Sequence, residues 1–164
     1  DLDAVTAVAE KVIGQVRSMG VALTACTVPH AGKPSFDLGE DEIEIGIGIH
    51  GEPGRKRVPM ATADEITDML VDPILEDMKP EAGSKVLLFV NGMGGTPEAE
   101  LFIVYNHARK RLMDAGLEVA RSLVGNYITS LEMQGCSVTV LKLDDEMTEL
   151  WDAPVLTPAF RRGL

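Results

Sequence analysis

The segment Glu42–Gly54, EIEIGIGIHGEPG, is the part of this sequence whose residue types could do chemistry. It combines an alternating run, several glycines and one histidine, His50, within 13 residues. A neutral imidazole nitrogen can accept a proton, ligate a metal or add to a carbonyl group. Glycines such as Gly46, Gly48 and Gly51 carry no side chain, so a small ligand can approach the backbone closely. The segment therefore predicts a small-ligand site around His50.

Structural and functional roles compete for His50. A lone histidine after a strand is more often a hydrogen-bonded structural residue than a catalyst, but the neighbouring glycines favour function. Metal binding is the weakest hypothesis, because neither His30 nor His107 stands at ligand spacing from His50. Proton transfer and carbonyl addition stay open, and both require a side chain exposed in a pocket.

The overall composition is typical of an ordinary globular domain. The chain has 164 residues, of which 45% are apolar and 25% are charged, and this length can bury a core within one domain. A formal net charge of -11 predicts no nucleic-acid surface, because phosphate binding needs clustered Lys and Arg. The short basic runs Arg55–Arg57 and Arg161–Arg162 are interpreted as solvated residues.

The cysteines and the apolar runs bear on cellular location. Cys26 and Cys136 lie far apart in apolar, strand-like stretches, which is typical of buried reduced thiols, and a disulfide stays open. No apolar run approaches the roughly 18 residues of a membrane span, and the acidic N-terminus is unlike a signal peptide. We therefore expect a soluble, cytoplasmic protein that contacts no membrane. The absence of an initial methionine suggests a fragment of something longer.

Hydrophobic periodicity predicts the elements that lead to His50. Apolar residues at steps of three and four over Val5–Val16 predict a helix that Gly20 terminates. A strand is predicted over Val21–Val28. The strict alternation over Glu42–Ile49 predicts a half-buried strand that ends beside His50.

The residues after His50 predict a regular alternation of helices and strands. A loop that includes Pro59 leads to a helix that starts at a capping box of Thr62 and Glu65, with Pro73 as a kink or break. The apolar run Lys85–Val90 predicts a strand buried on both faces, as in a parallel sheet.

The remaining predicted elements are a helix that starts at Thr96–Pro97 and ends near Gly116, strands over Leu117–Ile128 and Ser137–Leu143, and a helix over Asp145–Trp151. Helices that alternate with buried strands predict an α/β fold. We expect a layered sandwich in which a mixed β-sheet is flanked by helices, formed as one domain over residues 1–164.

Three further features favour structural interpretations. The turn NGMGGT at 91–96 could bind phosphate between a strand and a helix. It matches neither the GxxxxGK(S/T) pattern nor the GxGxxG pattern of nucleotide-binding loops. A tight turn that connects the strand to the helix is the favoured interpretation. The acidic residues Asp144, Asp145 and Glu146 are interpreted as helix-capping residues rather than metal ligands, and Trp151 as a packing anchor.

Several separated motifs together resemble the C-terminal half of the substrate-binding subunit of dihydroxyacetone kinase. They are, in the order found in that family, SMGVALTACTVPHAGKPSFDLGEDEIEIGIGIHGEPG (18–54), VLLFVNGMGGTPEAELFIVYN (86–106), ARSLVGNYITSLEMQGCSVTVLKLDDE (120–146) and LWDAPVLTP (150–158). The resemblance covers nearly the whole chain.

This resemblance implies a role for His50. In the family, the histidine of GIHGEPG holds the ketone substrate as a covalent hemiaminal, and His50 occupies that position here. The expected substrate is dihydroxyacetone, which would be phosphorylated at a terminal hydroxyl. An alcohol such as glycerol offers no electrophilic carbon and would be rejected.

The resemblance also implies what this chain lacks. The family's N-terminal domain, which carries a glycine-rich loop and an acid/base histidine and aspartate, has no counterpart in this sequence. We therefore expect the chain alone to be inactive as a kinase. The expected partners are that N-terminal domain, a nucleotide-bearing subunit or domain that holds ATP or ADP with magnesium, and a second copy in a homodimer. No cofactor is expected on this chain itself.

Three functional hypotheses remain at this point. The chain is part of a kinase, whose phosphoryl donor is ATP or a phosphotransferase relay. Alternatively, it is a ketone sensor that binds the ligand and signals to a regulatory protein. The third hypothesis is a structural or dimerisation domain with His50 packed in its interior, which an occluded His50 would support.

Overall fold

The computed structural model describes residues 1–50 and 52–163. Its helices are α1 Leu2–Gln15, α2 Ala63–Met78, α3 Glu98–Asp114 and α4 Asp145–Asp152. Its strands are β1 Val16–Ala22, β2 Glu42–Ile45, β3 Lys56–Pro59, β4 Lys85–Gly92, β5 Glu118–Gly125, β6 Gly135–Lys142, β7 Val155–Leu156 and β8 Arg161–Arg162. None of the helices in the described ranges has the length and apolar character of a membrane span.

The first six strands form one mixed sheet in the order β3-β2-β1-β6-β4-β5. Strands β4 and β5 are parallel, and the other neighbouring pairs are antiparallel. Helix α3 connects the parallel pair. The last two strands form a separate hairpin.

Helices cover both faces of this sheet, which confirms the predicted α/β sandwich. Helices α2 and α3 bury Leu70, Ile74, Leu101 and Leu112 against one face. On the other face, Met147 of α4 packs in a smaller cluster with neighbours from α1 and the sheet. The loop that carries His50 connects β2 to β3, which is the strand at one edge of the sheet.

The capping signals at Thr62 and Asp144 were predicted correctly. Thr62 accepts a hydrogen bond from the backbone N–H of Glu65, and the Glu65 side chain accepts one from the backbone N–H of Thr62. Asp144 caps α4 by accepting from the Met147 N–H at 2.8 Å. Pro73 lies within α2 without ending it. These features depend only on residues one turn apart, so the sequence determines them.

The boundaries before His50 were predicted wrongly. Helix α1 ends at Gln15, and Gly20 lies inside β1 rather than after a helix. Strand β2 ends at Ile45 because Gly46 adopts a φ of +85°, and its N–H donates to the Gly20 carbonyl at 2.6 Å. The alternation continued beyond Ile45, but this turn moves the chain away from the sheet.

Two other expectations were wrong for tertiary reasons. The residues Lys56–Pro59 form strand β3 at the sheet edge instead of a loop. Thr96 does not cap α3, whose N-cap is Pro97 without a side-chain hydrogen bond. Its hydroxyl instead donates to the carbonyl of Gly135 and accepts from the N–H of Gly135, at 2.9 and 2.7 Å. Thr96 thereby ties α3 to the start of β6.

The chain end packs as the sequence indicated for Trp151. Its ring lies 6.4 Å from that of Phe160, centroid to centroid, and the Arg162 guanidinium lies 4.7 Å from the Trp151 ring centroid. These contacts hold the terminal hairpin against α4.

The cysteines Cys26 and Cys136 are both buried free thiols. Burial raises the pKa of Cys136 to about 12, so almost no reactive thiolate forms near neutral pH. We expect iodoacetamide to alkylate Cys136 in the folded protein no faster than the protein unfolds, and readily in guanidinium chloride. Peptide mass spectrometry over time measures this rate. Alkylation of the folded protein at the rate of a free thiol would contradict the buried placement.

Candidate functional site

His50 stands at the tip of the loop that follows β2, where 81% of its side chain is exposed. The side chain that precedes the turn, Ile45, is buried in the main core. Farther along, Ile47 is buried in a separate cluster with Ala22 and Met93. The burial of Ile45 and Ile47 fixes the residues that lead to His50, which form the outgoing arm of the loop. The imidazole itself projects into solvent.

Glu52 contacts His50 at two points, one on the backbone and one on the imidazole ring. One carboxylate oxygen, Oε2, accepts a hydrogen bond from the backbone N–H of His50 at 2.9 Å. The other, Oε1, lies 3.2 Å from the ring Nδ1. A carboxylate can only accept, so it favours the tautomer with a proton on Nδ1. Nε2 then carries the free lone pair.

The electrostatic state of Glu52 suits this role. Backbone N–H donors, first its own and then that of His50, hold the pKa of Glu52 below its ordinary value. Gly48 makes room for this carboxylate, because a Cβ at Gly48 would lie 2.2 Å from Oε2 of Glu52. Gly48, which the sequence suggested would leave room for a ligand, therefore leaves room for the Glu52 carboxylate in this structure. Gly51, the third glycine of that prediction, lies outside the described residues.

The base of the loop is closed by hydrogen bonds to the sheet. The Arg55 N–H donates to the Ile45 carbonyl at 2.7 Å. The Gly54 N–H donates to Oε1 of Glu44, also at 2.7 Å. The residues before His50 continue from β2, and Gly54 and Arg55 after it, which form the returning arm of the loop, bond back to the same strand. The position of the loop relative to β2 is thereby fixed at both ends.

A groove of about 370 Å³ lies between this loop and the sheet face that carries Ser18 and Thr139. Gly20, Gly46 and Gly48 form part of its wall, and Glu52 lines it as well. Glu52 lines the groove and also contacts the His50 ring, so this one side chain connects the groove with the imidazole, which does not itself line the groove. Its volume exceeds the need of a three- or four-carbon molecule, and its lining mixes polar and apolar groups.

The other histidines lie elsewhere. His107 lies on α3 and its ring contacts α2, with Nε2 at 2.9 Å from Asp68 and Nδ1 at 3.3 Å from Asp64. His30 is exposed in the loop after β1. Within residues 1–50 and 52–163, no group of three or more His, Cys, Asp or Glu side chains could hold a metal ion.

The NGMGGT turn is a structural connection, as the sequence favoured. The Met93 N–H donates to the Gly135 carbonyl at 3.1 Å, and the Gly95 N–H donates to the Met133 carbonyl at 2.9 Å. These donors are therefore not directed at a ligand. The acidic run at the start of α4 is likewise structural, because Lys11 of α1 pairs with both Asp144 and Glu146.

Two buried polar residues were missed by sequence reasoning. Asn91, 1% exposed, accepts from the N–H groups of Tyr127 and Ile128 and donates to the Ile128 carbonyl. Glu44, 8% exposed, supports the His50 loop. A polar residue within an apolar strand could have indicated the burial of both Asn91 and Glu44. The sequence does not show which groups their side chains hydrogen-bond to.

These features define an α/β domain that presents one exposed histidine on a glycine-rich loop beside an open groove. The model of the Dak1 domain matches residues 1–159. The chain belongs to this family.

Comparison with known proteins supports the same assignment. The chain is 43% identical to the dihydroxyacetone-binding subunit DhaK of the PEP-dependent dihydroxyacetone kinase of Escherichia coli, over 99% of this chain and 52% of that protein. It is 41% identical to the L-erythrulose kinase of Pectobacterium atrosepticum, over 99% of this chain and 28% of that protein. The chain thus spans about half or less of the length of these relatives.

A solved structure shares the fold closely. The dihydroxyacetone kinase operon co-activator Dha-DhaQ superimposes with a TM-score of 0.87 at 32% identity, and covers 94% of this chain and 48% of that one. The proteins to which this chain is similar thus include kinase subunits and a protein named as an operon co-activator.

Proposed function

We propose that this chain captures dihydroxyacetone, or a closely related short ketose, as a covalent hemiaminal on His50. The observation that carries the proposal is the His50–Glu52 pair: an exposed ring whose Nδ1 faces a carboxylate 3.2 Å away. The exposure of the ring also contradicts the hypothesis that His50 is a packed structural residue.

The capture step follows from this geometry. The Nε2 lone pair adds to the carbonyl carbon, the C–O π bond breaks, and the carbonyl oxygen takes up a proton from water. The ring becomes positively charged, Glu52 stabilises that charge through the Nδ1 proton, and this proton then returns to water, which leaves a neutral hemiaminal. No atom leaves, so the adduct has the mass of the protein plus one intact ketose. An alcohol has no carbonyl carbon and cannot react in this way.

The captured ketose is the substrate of a phosphoryl transfer in the kinase form of the proposal. The tether fixes the position of a terminal hydroxyl for attack on a phosphoryl group. The acid/base groups come from an N-terminal domain of the same subunit. ATP or ADP with magnesium is held by a partner subunit or domain. This cytoplasmic assembly would contain two copies of the subunit.

The regulatory alternative rests on the similarity to the co-activator structure. A sensor would capture the same ketose without phosphorylating it. Two assays on the full-length protein separate the hypotheses. A kinase produces ketose phosphate when the nucleotide-bearing partner is added. A sensor shows adduct formation, no product, and ketose-dependent binding to a regulatory protein.

Native mass spectrometry tests the proposal itself. The full-length protein is incubated with dihydroxyacetone, L-erythrulose or glycerol. We expect one added ketose mass with the first two compounds or with dihydroxyacetone alone, and none with glycerol. The absence of an adduct with every carbonyl compound would refute the proposal.

Glu52 offers a second test of the site. Replacing Glu52 with Ala removes both contacts to His50, and we expect ketose capture to weaken by about 10-fold or more because the ring loses its orientation and tautomer. Glu52→Gln keeps an acceptor oxygen and should lie between the wild type and Glu52→Ala. Titration followed by native mass spectrometry measures the affinity. Equal affinities for all three proteins would contradict the role of Glu52.

The pKa of Glu52 sets the pH range of its contribution. Its folded-state pKa is lowered, so the stabilisation of the loop is fully present above the unfolded value of about 4.3. This stabilisation is lost as the pH falls through the lower folded-state pKa. Ionisation of Glu52 should therefore not limit capture near neutral pH.

A further inference from the structure

A buried carboxylate lies beneath the His50 loop. Glu44 is 8% exposed, and its neighbours on β2, Ile43 and Ile45, face the main core. Because successive side chains on a strand alternate between faces, Glu44 lies on the other face of the sheet. A carboxylate at such a position must be compensated by specific partners, since burial of an unpaired charge is costly.

The partners of Glu44 are limited and specific. Oε1 accepts the Gly54 N–H at 2.7 Å. Oε2 lies 3.4 Å from Nε of Arg57, which is the cross-strand neighbour of Glu44 on β3. Within the described part of the chain, Oε2 has no hydrogen-bond partner. The short hydrogen bond to the loop is therefore the closest interaction of this carboxylate.

Gly54 fits closely against this support. A Cβ at Gly54 would lie 2.4 Å from Cγ of Glu44 and 2.9 Å from the Ile45 carbonyl oxygen. The returning arm of the loop therefore has little freedom to move toward β2. Two residues earlier in the chain, Glu52 makes the contacts that orient the His50 ring.

We propose that Glu44 is a positioning residue for His50. Its carboxylate fixes Gly54, the arm fixed at Gly54 places Glu52, and Glu52 orients the imidazole. The effect on capture rests on the proposed function of His50. The effect on the geometry of the ring does not depend on it.

Three variants of the full-length protein distinguish the hydrogen bond between Glu44 and Gly54 from the ion pair between Glu44 and Arg57. Glu44→Met keeps the approximate side-chain length but removes the acceptor, and we expect its affinity for dihydroxyacetone to fall by about 10- to 100-fold because the reacting nitrogen is misplaced. Glu44→Gln retains an acceptor oxygen for Gly54 and should recover most of this loss. Arg57→Gln removes the charged partner of the buried carboxylate but keeps the Gly54 hydrogen bond. It should therefore lower the stability of the folded protein, while its affinity for dihydroxyacetone falls less than that of Glu44→Met.

Nuclear magnetic resonance provides a measurement that does not require capture. We expect the ¹⁵N shifts of the His50 ring to show one dominant tautomer in the wild type and in Glu44→Gln, and a mixture in Glu44→Met. Unchanged His50 shifts and unchanged affinity in a folded Glu44→Met would overturn the proposal. If the wild type forms no adduct, the proposed function fails, and the ring shifts still decide the role of Glu44.

Hydrogen exchange on the wild type covers the case in which Glu44→Met does not fold. The Gly54 N–H should exchange more slowly than the unpaired amides of the loop after β1. Exchange of Gly54 at the rate of an unprotected peptide would show that Glu44 does not hold this arm, and would also overturn the proposal.

Discussion

Replacing His50 with alanine in the full-length protein is expected to abolish the ketose adduct. The variant lacks the nitrogen that forms the bond to the carbonyl carbon, and the other histidines lie outside the loop and groove described above. Native mass spectrometry should detect the added mass in the wild type and none in His50→Ala. In an assembled kinase, kcat/KM for the ketose should fall by about 100-fold or more, because the substrate loses its fixed orientation.

The folding of this variant should be normal. The His50 side chain is 81% exposed, so its removal should change the free energy of unfolding by no more than about 0.5 kcal/mol. His30→Ala is a matched control, because His30 is also exposed in a loop. It should retain the adduct in full. An undiminished adduct in His50→Ala, or its loss in His30→Ala, would contradict the assignment.

Replacing Gly94 with alanine is expected to destabilise the fold severely. Gly94 has a φ of +119°, and a Cβ there would lie 2.0 Å from the carbonyl oxygen of Leu131. The clash is with the backbone of Leu131, two residues before Met133, to which Gly94 is joined by a β-bridge. Strain and overpacking together should cost about 3 kcal/mol or more of unfolding free energy. Urea denaturation measures this change.

Gly83→Ala is the control for Gly94→Ala. Gly83 also has a positive φ, +81°, but nothing lies within 4 Å of its added Cβ. This variant should lose only the strain contribution, about 1 to 2 kcal/mol. If the two variants lost the same unfolding free energy, the contact between position 94 and Leu131 would not limit the packing of the turn.

The helix starts illustrate what could be predicted. The capping box of Thr62 and the cap at Asp144 are formed within one turn of helix, so the residues that make them are neighbours in the sequence. The burial of β4 was equally clear, because its side chains are apolar on both faces. The segment that carries His50 was likewise recognised from neighbouring residues, its alternating isoleucines and its glycines.

The candidate site was only partly predictable. The glycines and the histidine of the loop indicated a site, but neither the end of β2 at Ile45 nor the support from Glu44 follows from periodicity. The turn at Gly46 depends on a hydrogen bond to Gly20, which lies on a neighbouring strand. Likewise, Thr96 was predicted to cap α3, but its hydroxyl bonds to Gly135, 39 residues away.

By itself, then, the sequence determined most of the periodic elements and the caps at Thr62 and Asp144, and it indicated His50 as the candidate for chemistry, because each of these signals lies within a few residues of sequence. Only the tertiary structure decided that the His50 ring is exposed, that Glu52 faces Nδ1, and that Glu44 supports the loop. Those outcomes depend on how a turn folds back and on which strands become neighbours. Such contacts are chosen by packing of the whole domain rather than by local preference.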